Sequence, residues 1–193
     1  MNTITTYDAA IDLLQKEKIL LAPSDTVLGL LGICSLASVN QLNQMKQRYD
    51  KPYLVLVSSL AEAEQLAIIP DSYRPLLERF WPGPLTVVFK AQPTAPAYMS
   101  SDSGSIAVRV PDQPLLQKLL KEVGPLFSTS ANLAGEIVPE SARDLSVELL
   151  QAVDAVFMVE DRAYPQIPST IIDCTGEQLV IVRHGVIPAD QLK

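Results

Sequence analysis

Four clusters of polar residues in this chain could do chemistry, and each follows or interrupts an apolar run. Lys46-Gln47-Arg48-Tyr49-Asp50-Lys51 is the densest basic cluster in an otherwise acidic sequence. A Lys and an Arg two apart, with a third cation before the next strand, could clamp a triphosphate, because Arg offers a two-pronged fork and Lys a point charge. A solvated helix end fits the same residues. Ser128-Thr129-Ser130-Ala131-Asn132 carries short hydroxyl and amide groups suited to phosphate or ribose oxygens, and would serve equally as a helix cap or Asx turn. Pro23-Ser24-Asp25-Thr26 directly follows an apolar run, where the carboxyl end of a strand commonly borders a crevice; a plain turn also fits. Arg109 lies inside Ile106-Ala107-Val108-Arg109-Val110, and alternation puts Ala107, Arg109 and Pro111 on one face. A cation on a buried strand needs an anionic partner, either a structural carboxylate or that of a substrate.

Other residues exclude more than they suggest. His184 is the only histidine, so a Ser-His-Asp or Cys-His system would have to be built on it, beside a glycine. Cys34 and Cys174 lack CxxC spacing and read as buried thiols of a reducing compartment. Neither GxxxxGKS/T nor GxGxxG occurs, so any nucleotide site must be built without the usual glycine-rich phosphate loops. The formal net charge of −7 argues against a dedicated nucleic-acid surface. No apolar run approaches the roughly 18 residues of a membrane span, and the first residues lack a basic and then apolar leader, so a cytoplasmic protein is expected.

The elements that must position these clusters follow from periodicity. The 193 residues suit a single domain spanning 1–193. Helical spacing marks Tyr7–Lys18, Ala37–Arg48, Leu60–Ala67, Asp71–Phe80, Pro114–Val123 and Leu145–Ala152. Strands are expected at Ile19–Ala22, Tyr53–Val57, Leu85–Phe89, Ile106–Val110, Leu126–Ser128, Ala155–Val159, Thr170–Asp173 and Val180–Arg183. Trp81-Pro82-Gly83-Pro84 forces a turn, and Lys90–Gly104 reads as one long surface loop. The pattern is α/β, a mixed sheet covered by helices.

Six segments, in one order and at compatible spacing, resemble the YrdC-type threonylcarbamoyl-AMP synthase family: Ala22–Leu30, Lys46–Val57, Phe80–Val88, Ser105–Pro111, Phe127–Gly135 and Pro168–Gly185. The resemblance covers almost the whole chain and is to the compact bacterial form. It implies a twisted mixed sheet with flanking helices and a large concave surface. The implied reaction joins L-threonine, bicarbonate and ATP into threonylcarbamoyl-adenylate with release of pyrophosphate, a nucleotidyl transfer. Separate threonylcarbamoyl-transferase proteins would then modify a tRNA adenosine beside the anticodon. The family's Lys-x-Arg and Ser-x-Asn catalytic tetrad falls on Lys46, Arg48, Ser130 and Asn132, at the ATP phosphates, and Arg183 would also face ATP. Ser24, Arg109 and Ser169 would hold threonine. Mg²⁺ is expected on the phosphates, without a dedicated protein site. Leu28 stands where the family often has an aromatic, Leu56 where some relatives have a polar residue near threonine, and His184 where a proline is usual. Two other readings remain: a same-fold relative without synthase activity, and an RNA-binding or ribosome-assembly module with Lys46, Arg48, Lys51, Arg109 and Arg183 in one groove.

Overall fold

A computed structural model of the chain describes residues 2–49, 52–133, 136–157 and 167–192. A short strand β1 (Thr3–Ile4) leads into helix α1 (Tyr7–Gln15), strands β2 (Leu20–Ala22) and β3 (Gly29–Ile33), helix α2 (Leu36–Lys46) and β4 (Leu54–Leu56). Helix α3 (Leu60–Leu66), the two-residue β5 (Ala67–Ile68), helix α4 (Arg74–Phe80), β6 (Leu85–Ala91) and β7 (Ser105–Arg109) follow. Helix α5 (Pro114–Val123), β8 (Leu126–Ser130), helix α6 (Val147–Ala152), β9 (Ala155–Phe157), β10 (Thr170–Asp173) and β11 (Val180–Arg183) complete the order. All the strands join one mixed sheet in the order β1-β9-β2-β3-β8-β4-β7-β6-β10-β11, with β5 paired to β6. Among the described residues no helix is long and apolar enough to cross a membrane.

Register decides what each face of the sheet carries. Leu20 pairs with Leu31, and Leu126 pairs with Ile33 on one side and Leu56 on the other. These side chains pack under α1 and α5, against Ala10, Leu14, Leu116 and Leu119. The opposite face presents Leu21, Leu30, Phe127, Val55, Val108 and Val87 to residues of α2, α3 and α4 such as Leu42, Ala63 and Leu77. The first face changes character along its strands. Two-residue steps along β8 lead from Leu126 to Ser128 and Ser130, and Ser130 pairs with Gly29. The same face carries Ala107 and Arg109 on β7 and Thr86 on β6. A leucine surface under two helices thus becomes a wall of hydroxyl and guanidinium groups.

Several expectations are corrected. Strand β3 reads Gly-Leu-Leu-Gly-Ile; with nearly every residue buried it shows no alternation, so its sequence does not announce a strand. The two-residue strands β1 and β5 are too short to carry a pattern. Lys90–Gly104 is not one loop: β6 continues to Ala91, and Ala97–Met99 forms a 3-10 turn with Met99 in the core. β8 extends past the expected Leu126–Ser128 to Ser130, so Thr129 and Ser130 are strand residues rather than part of a cap or turn. Asp71–Phe80 splits into a 3-10 turn and α4, with Pro75 in the first turn of the helix. The end of the expected Ala155–Val159 strand lies outside the described residues.

Helices α1 and α2 stop earlier than periodicity suggests, at Gln15 and Lys46, because Glu17 and Gln47 adopt positive φ of 59° and 49°. The Arg48 N–H then donates back to Asn43 O at 3.2 Å and the Gln47 N–H to Gln44 O at 3.3 Å. This reversal usually falls to glycine. It also brings Arg48 back over the Tyr53 ring, 4.8 Å from its centroid. Gln47 is exposed, so Gln47→Gly is expected to raise the unfolding free energy by about 0.5–1 kcal/mol, read from chemical denaturation, by removing the left-handed penalty of a side chain.

Candidate active site

The uncovered part of the sheet face forms a cavity of about 390 Å³. Its wall carries the guanidinium groups of Arg48, Arg109 and Arg183 and the hydroxyls of Ser24, Thr26, Thr86, Ser128, Ser130 and Ser169. Among the described residues no Asp or Glu side chain lines it. In a protein of net charge −7 this is a local anion trap, set in walls of low dielectric. Of the expected site residues, Ser24, Arg48, Arg109, Ser130, Asn132, Ser169 and Arg183 all line this one cavity, and Lys46 sits directly behind it.

Arg109 takes the structural one of its two possible partners. Its Nη2 donates to Asp25 Oδ1 at 2.9 Å, and the two side chains are 3% and 7% exposed. Its Nη1 donates to Thr26 Oγ1 at 3.2 Å, while the buried Nε has no hydrogen-bond partner among the described residues. Asp25 also accepts the Asp112 N–H at 3.1 Å, which ties the turn between β2 and β3 to the segment leading into α5. The Ser24 hydroxyl donates to Val27 O at 2.7 Å and accepts from the Thr26 and Val27 N–H groups at 3.1 Å. Its turn role and its place in the cavity wall therefore coexist, with its proton already committed.

Lys46 departs from the expectation of a cation presented to phosphates. It closes α2 and is 4% exposed. Its Nζ donates to Ser130 O at 2.7 Å, to Asn132 Oδ1 at 3.2 Å and to Asn132 O. Those carbonyl oxygens satisfy its three protons, and Lys46 does not line the cavity. Burial, helped by the Arg48 charge and opposed by Glu136, brings its pKa down to about 8. The Ser130 hydroxyl donates to Asn132 Oδ1 at 2.5 Å, and Asn132 Nδ2 donates to Glu136 O at 2.6 Å. The Lys-x-Arg and Ser-x-Asn pairs are thus one connected cluster, joined by Lys46. Lys51, the third cation of the basic run, lies outside the described residues.

Arg183 reaches the cavity through an irregularity. In the β10–β11 pair, Asp173 faces Val180 and Ile172 faces Ile181, but Ile171 faces Arg183, so β11 holds one extra residue at Val182. Ile181 packs on the core, while Arg183 lines the cavity with Ile171. Without the bulge, two-residue alternation would give Arg183 and Ile181 the same face. Arg183 then donates to Ser169 O at 2.9 Å and to Ser169 Oγ at 3.0 Å. Ser169 Oγ lies 2.8 Å from Thr86 Oγ1, and both residues are buried. Gly185 allows the chain after β11 to press on this group: a Cβ there would sit 2.3 Å from Pro168 O.

Sequence reasoning did not select Thr86, Thr26 or Asp25 as site residues. The signal for Thr86 was its place just after the Trp-Pro-Gly-Pro turn; for the other two it was their place beside Ser24. Leu28 and Leu56, where this chain departs from the family pattern, are fully buried in the two core clusters and do not line the cavity. None of Lys90–Gly104 lines the cavity either; Ser100, Ser101 and Asp102 border a separate space of about 180 Å³ beside Tyr49, Tyr53 and Tyr98. Pro168 lines the cavity, and residues 163–166 just before it lie outside the described residues.

Among the described residues no group of three His, Cys, Asp or Glu side chains could hold a metal ion. Among the described residues the cavity wall offers Mg²⁺ no carboxylate ligand, so they do not build a site for it.

Comparison with known proteins gives a consistent neighbourhood. The family model Sua5_yciO_yrdC, described as "Telomere recombination", matches residues 12–185. The putative threonylcarbamoyl-AMP synthase of Methanocaldococcus jannaschii is 31% identical over 188 residues, covering 94% of this chain and 88% of that protein. A protein of the same description from Mycobacterium tuberculosis is 31% identical, covering 95% and 86%. Among solved structures, Pyrococcus abyssi Sua5 complexed with L-threonine superposes with a TM-score of 0.86 at 28% identity; the match covers 95% of this chain but 55% of that longer one. Escherichia coli YciO shares the fold, with a TM-score of 0.86 at 23% identity and coverage of 96% and 92%. With the matched region running from residue 12 to residue 185 and the same sheet recurring in these structures, the chain belongs to the Sua5/YciO/YrdC family.

Proposed function

We propose that this protein is a threonylcarbamoyl-AMP synthase. It joins L-threonine, bicarbonate and ATP into threonylcarbamoyl-adenylate, releases pyrophosphate, and passes the product in the cytoplasm to separate threonylcarbamoyl-transferase proteins acting on tRNA. The observation that carries this reading is the cavity wall: arginines and hydroxyls converge there, with no carboxylate among the described residues to compete for them. Its volume of about 390 Å³ falls within the range of small-molecule sites.

The chemistry asks the protein for positioning and charge stabilisation rather than a covalent intermediate. The threonine amine adds to carbon dioxide with loss of a proton, or to bicarbonate with loss of water, to form a carbamate. A carbamate oxygen then attacks the α-phosphorus of ATP, the bond to the β-phosphate oxygen breaks, and pyrophosphate leaves with the electron pair. Arg48 and Arg183 meet the negative charge that grows on the departing phosphates; the second Asn132 Nδ2 proton hydrogen-bonds phosphate and nucleotide oxygens, and the Ser130 hydroxyl does so by turning from Asn132 Oδ1. Arg109 receives the threonine carboxylate through the Nε that has no partner among the described residues. Ser169 supports it, and Ser24 shapes the threonine side of the cavity as the centre of its turn, its hydroxyl engaged by Val27 O and by the Thr26 and Val27 N–H groups. An accompanying Mg²⁺ would be held by phosphate oxygens and water, and no step is routed through it.

Incubation with ATP, L-threonine and bicarbonate, followed by mass analysis, is expected to show the mixed anhydride, with pyrophosphate release requiring all three. Arg48→Ala is expected to lower turnover by about tenfold or more, because phosphate charge loses a charge-assisted hydrogen bond. Arg109→Lys keeps the charge beside Asp25 but removes the fork. It is expected to raise the threonine requirement severalfold more than the ATP requirement in steady-state kinetics.

A further inference from the structure

We infer that Lys46 is a positioning residue: its ammonium clamps the Ser130–Asn132 segment into the cavity wall instead of meeting the phosphates itself. The clamp is geometric. An ammonium has three N–H donors in a tetrahedral array, and in Lys46 they converge on Ser130 O, Asn132 O and Asn132 Oδ1. Those acceptors belong to the stretch where the sheet lets go of the chain. Ser130 is the last residue of β8, paired with Gly29, and Ala131 N–H makes one further bond to Leu28 O at 2.9 Å. Beyond that, Asn132 is held by Lys46, by the Ser130 hydroxyl and by its own bond to Glu136 O. Ser130 and Asn132 line the cavity; Lys46 stands behind them.

Among the described residues, the charged groups facing this ammonium are Arg48, from the turn that ends α2, and Glu136, from the segment after β8. Burial places its titration near pH 8. Below that pH the three donors are complete. Above it a neutral amine turns a lone pair toward one carbonyl oxygen, and the array fails.

The kinetic arm of the test rests on the synthase reading; the exchange arm does not. Lys46→Met, Lys46→Arg and Arg48→Ala are compared with the unchanged protein. Hydrogen exchange by mass spectrometry is expected to quicken about tenfold over Ala131–Leu133 in both Lys46 variants and to stay unchanged in Arg48→Ala. Affinity for β,γ-imido-ATP is expected to fall about tenfold in Arg48→Ala, and to fall alike in Lys46→Met and Lys46→Arg, which both release Ser130 and Asn132. Turnover of the unchanged protein should fall above pH 8, a limb absent from Lys46→Met. Lys46→Arg should lose turnover as fully as Lys46→Met, because a planar guanidinium cannot reproduce the tetrahedral array.

Unchanged exchange over Ala131–Leu133 in both Lys46 variants overturns the inference. So does a Lys46→Arg protein with near-normal turnover beside a Lys46→Met protein that loses nucleotide affinity, since a phosphate contact tolerates arginine. Should Lys46→Met fail to fold, exchange in the unchanged protein on either side of pH 8, corrected for intrinsic rates, decides the same point. A protein that makes no adenylate defeats the synthase reading, while its exchange data still settle the clamp.

Discussion

The buried ion pair between Asp25 and Arg109 is the constraint around which this molecule is organised. A guanidinium at 3% exposure without a neutralising partner would be destabilising by several kcal/mol. Placing the carboxylate in the cavity wall would cancel the attraction for anions. Asp25 resolves the conflict from behind the wall, and by accepting the Asp112 N–H it also anchors the approach to α5. Similar logic recurs around the cavity. Arg183 rests on Ser169 O, Lys46 on the oxygens of Ser130 and Asn132, and Arg48 over the Tyr53 ring. Each cation is held by an acceptor or a π-face, and the wall keeps its positive character.

The cavity exists because one sheet face does two jobs. Under α1 and α5 it is leucine-lined and closed; a few residues along the same strands it is polar and open. The floor of this wall needs only a change of residue type at two-residue intervals on β8, β7 and β6, and the turns that carry Ser24, Arg48 and Asn132 supply its rim. The helices on the other face leave it free, since α2, α3 and α4 pack on the opposite cluster. Leu28 and Leu56 belong to the packed regions, so their departure from the family pattern is a matter of core volume rather than of the cavity surface.

How much of this the sequence disclosed depended on how local each signal was. Alternation put Ala107 and Arg109 on one face, and both line the cavity. Motif resemblance brought Ser24, Arg48, Ser130, Asn132, Ser169 and Arg183 to one place across a separation of more than a hundred residues, which periodicity alone could not do. What stayed hidden was long-range pairing. The Asp25 partner of Arg109 is set by strand order, not by spacing. The direction of the Lys46 ammonium depends on where β8 ends, and β8 is longer than its apolar residues suggest. Strand β3, buried on both sides, carries no alternation to read.

The extra residue in β11 has an evolutionary corollary. Strand faces alternate, so Ile181 and Arg183 can keep opposite faces either with Val182 bulged out or with Val182 lost, when they would stand side by side opposite Ile172 and Ile171. Only Val182 drawn into regular pairing would turn the charge toward the core. Among descendants of this chain the extra residue can therefore come and go, so long as Arg183 stays opposite Ile171.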